Sequence, residues 1–386
     1  MKRIWQNIGV LSLLLACVVS GCGGGSSGFG AGGSGQGADS GEIVVGAILP
    51  MTGNNATDGK DMYNALDMAV KELNEAGGVL GRKLKIEVAD DGCDPQMATS
   101  AANKLVSLNV TAVVGGYCSG ATLPASGVFK NANIPMIVTA ANSSKLPAQG
   151  YDTLFLINGL VPDQTQKATE YFMAHNAKRI ALVHDNSAYA KDMADSAKAQ
   201  IEKAGGSVIA YEAINPEEKD FSALATKLKG LSPDATYFTG YYAAGGLMIK
   251  QFKQKGVPGL FMAGDGSFSE DLIKIAGPEN AEGALISATP TAEFIEGAEE
   301  FVKEYKQAYN LAPGPFSALT YNGMNLLADA LKRANSTDHE AVKKALKETK
   351  DFKALGETIT FNDQNTLNES NFAILKVENG KFTLAK

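Results

Sequence analysis

Thr111-Ala-Val-Val-Gly-Gly-Tyr-Cys-Ser-Gly-Ala-Thr122 joins a strand to a helix within a dozen residues. Residues 112–114 form a short apolar run suited to a buried strand. Gly115 and Gly116 end it, and Tyr117-Cys118-Ser119-Gly120 turns toward a helix. In an open parallel sheet, ligands bind beyond the carboxyl ends of the strands. There the next helix offers unpaired N–H groups to an anion. Ser119 stands at that junction with a hydroxyl to spare. Either this turn holds a small carboxylate, or Ser119 only caps its helix. The sequence on either side weighs between the two.

Working outward, short β-rich runs alternate with longer amphipathic ones. A continuous apolar strand over 43–49 ends at Pro50. Met62, Ala65, Leu66, Ala69, Val70 and Leu73 recur at three- and four-residue steps, which predicts a helix over 59–76. Gly77-Gly78 stops it. A strand over 84–89 follows, then a helix from Pro95 to about residue 108. A fourth strand over 135–139 leads into the polar turn Ala140-Ala141-Asn142. Near-continuous apolar strands separated by helices mean a parallel sheet covered on both faces.

The pattern then restarts. Strands are expected over 154–157, 180–183, 208–213, 235–239 and 260–263. Helices are expected over 163–175, 189–204 and 221–229, with another opening after Gly240-Tyr241. Longer helices follow over 293–309, 317–334 and 339–348. The tail is β-like over 358–361 and 372–382, with Glu378-Asn379-Gly380 as a hairpin turn. Ser119, the 140–142 turn, Tyr189, Tyr241 and Asp265 all fall at strand ends. Two α/β lobes facing each other across a cleft make a hinged ligand clamp.

The first forty residues have a different character. Met1-Lys2-Arg3 is basic, and residues 8–19 are apolar but shorter than the ~20 residues a membrane span needs. Val19-Ser20-Gly21-Cys22 resembles a bacterial lipobox, so residues 1–21 read as a lipoprotein signal and Cys22 as the lipidated terminus. An ordinary secretory signal with an incidental cysteine is the alternative. Residues 22–41 are rich in Gly and Ser and read as a flexible tether. The expectation is a soluble domain, periplasmic or at the cell surface, held to a bacterial membrane by lipid.

The whole chain carries 35 basic and 42 acidic residues. Loss of Lys2 and Arg3 with the signal leaves 33 against 42, a net charge of −9. An acidic chain with no basic run argues against nucleic acid as a partner. About 345 residues beyond the tether are more than one core usually serves. Of the four cysteines, Cys17 leaves with the signal and Cys22 takes the lipid. Cys93 and Cys118 remain, an even pair in an exported chain, which suggests a disulfide over two free thiols.

Several further runs fall in a telling order: Gly77-Gly78 before Leu84-Lys-Ile, Asp90-Asp-Gly-Cys-Asp-Pro95, Tyr117-Cys-Ser119 with Pro124-Ala-Ser126, Val183-His-Asp185 with Tyr189, Glu218-Lys-Asp-Phe-Ser222, Gly240-Tyr241, and Ala281-Glu-Gly283. In these the chain from residue 42 onward resembles the periplasmic branched-chain amino-acid binding proteins of the type I solute-binding fold. The resemblance implies two doubly wound parallel-sheet lobes joined by a hinge. Residues 42–158 with 290–360 would form the N-terminal lobe, and 159–289 with 361–386 the C-terminal lobe.

The resemblance also implies a ligand set. The Ser119 hydroxyl and N–H match the family's carboxylate anchor, and the carbonyl of Ala140 its ammonium acceptor. Asn142 falls where the family has a threonine that touches both charged groups. Asp265 replaces a glutamate facing the ammonium, one methylene shorter. Tyr189 and Tyr241 match aromatics that shut over the ligand, and Phe316 a wall of the side-chain pocket. Tyr117, Cys118, Ala141 and Gly266 complete the set as members of these turns. Asp58 stands where the family usually has an aromatic, which leaves room for a polar or larger ligand side chain. The implied role is capture of an amino acid, first of all Leu, Ile or Val, and its delivery as a monomer to the permease of an ABC importer. Another amino acid, an amide or an aromatic acid are alternative ligands, and a ligand-sensing receptor subunit is an alternative role.

Enzyme chemistry is not indicated. His175, His184 and His339 have no metal-ligand spacing. Gly116-Tyr-Cys-Ser-Gly120 is not a nucleophile elbow, because its serine is one place late. No phosphate-binding glycine loop with lysine is present. The acid cluster Asp90, Asp91, Asp94 lacks the spacing of a calcium loop. No metal and no cofactor is expected.

Overall fold

Apolar residues on consecutive strand positions need cover on both faces, and the chain supplies it by alternating strand and helix. The computed structural model describes residues 41–385; the signal segment, Cys22 and all but the end of the tether lie outside the described residues. In chain order the elements are β1 (Ile43–Leu49), α1 (Ala56–Glu75), β2 (Leu84–Asp90), α2 (Pro95–Ser107), β3 (Ala112–Gly115), α3 (Ser119–Asn131), β4 (Met136–Val138) and β5 (Leu154–Leu156). There follow α4 (Val161–Ala174), β6 (Arg179–His184), α5 (Ala188–Lys203), β7 (Ser207–Ala213), α6 (Ser222–Leu231), β8 (Ala235–Phe238), α7 (Tyr242–Lys255) and β9 (Leu260–Ala263). The chain finishes with α8 (Glu270–Ala276), α9 (Pro278–Ala281), β10 (Leu285–Ala288), α10 (Glu299–Tyr309), α11 (Ser317–Ala334), α12 (His339–Lys347), β11 (Phe352–Ala354), β12 (Glu357–Ile359), β13 (Ala373–Glu378) and β14 (Lys381–Leu384).

Two large sheets result. The first has the order β2-β1-β3-β4-β5, parallel throughout. The second has the order β14-β13-β10-β9-β8-β6-β7. Its strands β6 to β10 are parallel, and β13 and β14 add an antiparallel edge. Each sheet has its own core. Val113, Val114, Ile137 and Phe155 are fully buried in the first, and Leu182, Val183, Tyr237 and Phe238 in the second. Each such aliphatic or aromatic side chain contributes ~1.5–3 kcal/mol by leaving water.

The chain passes from the first lobe to the second after β5, returns after β10, and crosses again before β13. The last crossing falls later than residue 360. Phe361 still packs on Phe155 of the first lobe, with ring centroids 5.3 Å apart, and the Leu156 N–H donates to the Asn365 carbonyl. Residues 361–367 therefore stay with the first lobe.

Three local readings change. The helix expected over 293–309 is interrupted: a 3-10 turn spans Ala292–Phe294 and α10 begins at Glu299, because Gly297 between them has φ +85°. Strand β10, central in the second sheet, and strand β11 carry no strong alternation and were not anticipated. Helix α1 starts three residues early, so Asp58 lies in its first turn.

Candidate ligand-binding cleft

The loop after β3 is shaped by backbone crowding. Gly115 has φ +141°, and a Cβ there would lie 2.6 Å from the Ile48 carbonyl; Gly116 has φ +82°. The pair bends the chain out of the sheet and delivers Tyr117. Cys118 takes the N-cap position of α3 without a side-chain cap, so Ser119 is the first helical residue and not the cap. The Ser119 and Gly120 N–H groups have no partner among the described residues. The Ser119 hydroxyl is buried and accepts the Ser143 N–H at 3.3 Å. Cys93 and Cys118 form a disulfide with a Cα–Cα distance of 5.3 Å, which ties this turn to the one after β2.

The other lobe presents Tyr189 from the first turn of α5, Tyr241 from the N-cap of α7, and Asp265 and Gly266 from a 3-10 turn after β9. These meet Tyr117, Ala140, Asn142 and Phe316 around a single small cavity. Phe316 is placed by α1: Asp61 accepts from the Gly314 N–H at 2.8 Å, the Ser317 hydroxyl at 2.6 Å and the Tyr305 hydroxyl at 2.6 Å. Tyr117 sits edge-on to Phe316 at 5.4 Å, Tyr117 and Tyr241 at 5.9 Å, and Tyr189 and Tyr241 at 5.5 Å.

The electrostatic focus is Asp265. Tyr189 donates its hydroxyl to Oδ1 at 2.6 Å, and the Asn142 amide donates to Oδ2 from the opposite lobe at 3.0 Å. Both donors are neutral. Burial raises the Asp265 carboxyl above its usual range, and the hydrogen bonds oppose that only in part. No basic side chain among the described residues pairs with it. Burial disfavours its charged form, and an adjacent cation would restore it.

Sequence reasoning missed the residues that hold these groups in place. Gln164 of α4 accepts the Asn142 amide at 3.0 Å and donates to the Ser287 carbonyl at 2.6 Å. Asn158 donates to the Ala140 carbonyl at 2.6 Å, and that oxygen keeps a second lone pair. Asp192 of α5 reaches across to Ser143 and Ser144. All three are polar residues inside helical or linker patterns, where local sequence gives no signal.

Four expected residues do not line the cavity. Cys118, Ser119 and Ala141 adjoin the lining residues Tyr117, Ala140 and Asn142 in sequence without lining it themselves. The Asp58 carboxyl receives the Tyr117 hydroxyl at 2.7 Å. The Tyr117 ring, not the Asp58 side chain, lines the cavity there. Among the described residues no group of three or more His, Cys, Asp and Glu side chains could hold a metal, and no helix is long and apolar enough to cross a membrane.

Comparison with known proteins gives a consistent family. Residues 42–381 match the model of the periplasmic binding protein family. A Leu/Ile/Val-binding protein homolog of Brucella melitensis is 33% identical over 342 residues, covering 88% of this chain and 92% of the relative. The leucine-binding protein LivK of Thermotoga maritima superposes with a TM-score of 0.83 at 26% identity, covering 89% of this chain and 98% of the other. The branched-chain amino-acid binding protein LivJ of Streptococcus pneumoniae, solved with isoleucine, does so at 0.83 and 29% identity over 89% and 99%.

Proposed function

This chain belongs to the periplasmic binding protein family, and we propose that it captures an amino acid between its lobes and delivers it to the permease of an ABC importer. Asp265 carries the reading. It is buried, it has only neutral hydrogen-bond partners, and it lines the small cavity where the two lobes meet. The α-ammonium of an amino acid supplies the missing positive charge. The carboxylate then falls toward the start of α3, where the Ser119 and Gly120 N–H groups stand without partners. The relatives' Leu/Ile/Val names make the branched-chain amino acids the first solutes to test.

Binding is by closure: only the state in which Asn142 meets Asp265 contacts the ligand from both lobes. The site binds without catalysing, acts as a monomer and needs no cofactor. Cys22 and the 22–41 tether are proposed to anchor the domain to the membrane that carries the permease. Calorimetry on Asp265→Asn tests the reading. The variant should lose more affinity for α-amino acids than for their des-amino counterparts, by about 2 kcal/mol, the scale of a hydrogen bond to a charged group. Equal losses for both classes would remove Asp265 from an ammonium-binding role.

A further inference from the structure

The cavity is bounded by four aromatic rings and by Ala140, Asn142, Asp265 and Gly266. With the lobes in contact it measures about 10 Å³, the room a single water needs. Any solute therefore displaces a wall, and selectivity depends on which wall yields. Tyr189 is tied to Asp265 and Gly266 at the end that receives the charged groups. The side-chain end is Tyr117, Phe316 and Tyr241.

Tyr117 is held at three points. Its backbone lies between Gly116, where a Cβ would come within 3.0 Å of Met136 and Thr122, and the disulfide-bonded Cys118. Its ring packs edge-on to Phe316. Its hydroxyl donates to Asp58 at 2.7 Å. The backbone beside Asp58 is closely packed: a Cβ on Gly59 would overlap the carbonyl of Pro50, just past the end of β1. Asp58 is itself buried. With burial pushing its carboxyl up to about 8, the group sits there neutral and need not seek water. Of the two residues only Tyr117 lines the cavity.

We propose that Asp58 is a specificity-positioning residue: it pins the Tyr117 ring as a fixed end wall, so that the site discriminates against amino acids with long side chains. The inference rests on the amino-acid reading above. A methylene that the pocket cannot accommodate costs ~1–3 kcal/mol, or 10- to 200-fold in affinity. Leucine thus falls at least about tenfold behind alanine in the native protein.

The test is calorimetry of the full soluble domain with glycine, alanine, valine, leucine and phenylalanine, on the native protein and on Asp58→Ala, Asp58→Asn and Tyr117→Phe. Asp58→Ala frees the ring, and the leucine-to-alanine affinity ratio should rise by about tenfold or more. Tyr117→Phe keeps the ring, loses only the tether, and should raise the ratio in the same direction. Asp58→Asn still offers an oxygen to the Tyr117 hydroxyl and should keep the native ratio. A merely structural role for Asp58 would weaken all five ligands alike and leave the ratio unmoved. Leucine binding as tightly as alanine to the native protein overturns the inference alone. So does an unchanged ratio in both Asp58→Ala and Tyr117→Phe. Failure of every amino acid to bind overturns the proposed function, and this inference with it.

Discussion

Removing the Asp192 carboxylate should loosen the grip on every ligand without touching the fold of either lobe. Asp192 lies on α5 of the second lobe. Its Oδ2 accepts the Ser143 hydroxyl at 2.8 Å and the Ser144 N–H at 2.8 Å, and its Oδ1 accepts the Ser144 hydroxyl at 2.9 Å. Both serines belong to the loop after β4 in the first lobe. None of these contacts involves the cavity. Each therefore stabilises the closed arrangement alone. A hydrogen bond to a charged group is worth ~1.5–3 kcal/mol net, and less where water can replace it, so three bonds to the half-buried Asp192 contribute about 2–4 kcal/mol to closure. At 1.4 kcal/mol per tenfold, Asp192→Ala should weaken binding by about 30- to 800-fold. The factor should be the same for all ligands, because the lost contacts do not touch them. Asp192→Asn keeps one accepting oxygen and should fall between. The assay is calorimetric affinity together with the dissociation rate, and the ligand-free melting temperature as control. Native affinity in Asp192→Ala would refute the reasoning. So would a drop in ligand-free stability as large as the loss in binding, which would make Asp192 part of the fold.

Two further outcomes follow from the structure. Replacing both Cys93 and Cys118 by serine opens a closure of 25 residues and should lower unfolding free energy by ~3 kcal/mol in denaturant titration; a loss below about 1 kcal/mol would show that the turn holds itself. The Asp58 carboxyl, moved by burial from 3.8 to about 8, holds an extra proton in the closed protein, so stability is greatest in acid and falls as pH rises through that window. Its neighbours Asp61 and Asp271 push the same way, the Tyr117 hydroxyl opposes, and Tyr242 faces it from the second lobe. At ~1.4 kcal/mol per pH unit, the ligand-saturated native protein should lose up to about 4 kcal/mol more than Asp58→Asn between pH 5 and pH 8, and parallel curves would assign Asp58 an ordinary carboxyl.

What the sequence determined was local and periodic. The apolar run before Gly115-Gly116 becomes β3 because burial on both faces is written into consecutive residues, and the Met62-to-Leu73 spacing becomes α1 because one helical face repeats every three or four positions. The turn Asn379-Gly380 needed only its two residues, both at positive φ. The Cys93–Cys118 link followed from parity. Tyr189, Tyr241, Phe316, Asn142 and Asp265 were placed at strand ends or by resemblance, and the tertiary structure brings them around one cavity. The partnerships of those side chains were decided elsewhere. Asp58 and Tyr117 are 59 positions apart, Ser143 and Asp192 are 49, and Asn142 and Asp265 are 123. A hydroxyl or carboxyl in a sequence shows what it can donate or accept but not what it will meet. Only when the first sheet and its helices pack does the Asp58 carboxyl meet the Tyr117 hydroxyl, and only when the two lobes meet does Asn142 reach Asp265, because burial forces each polar group to take the nearest complement the packing leaves it.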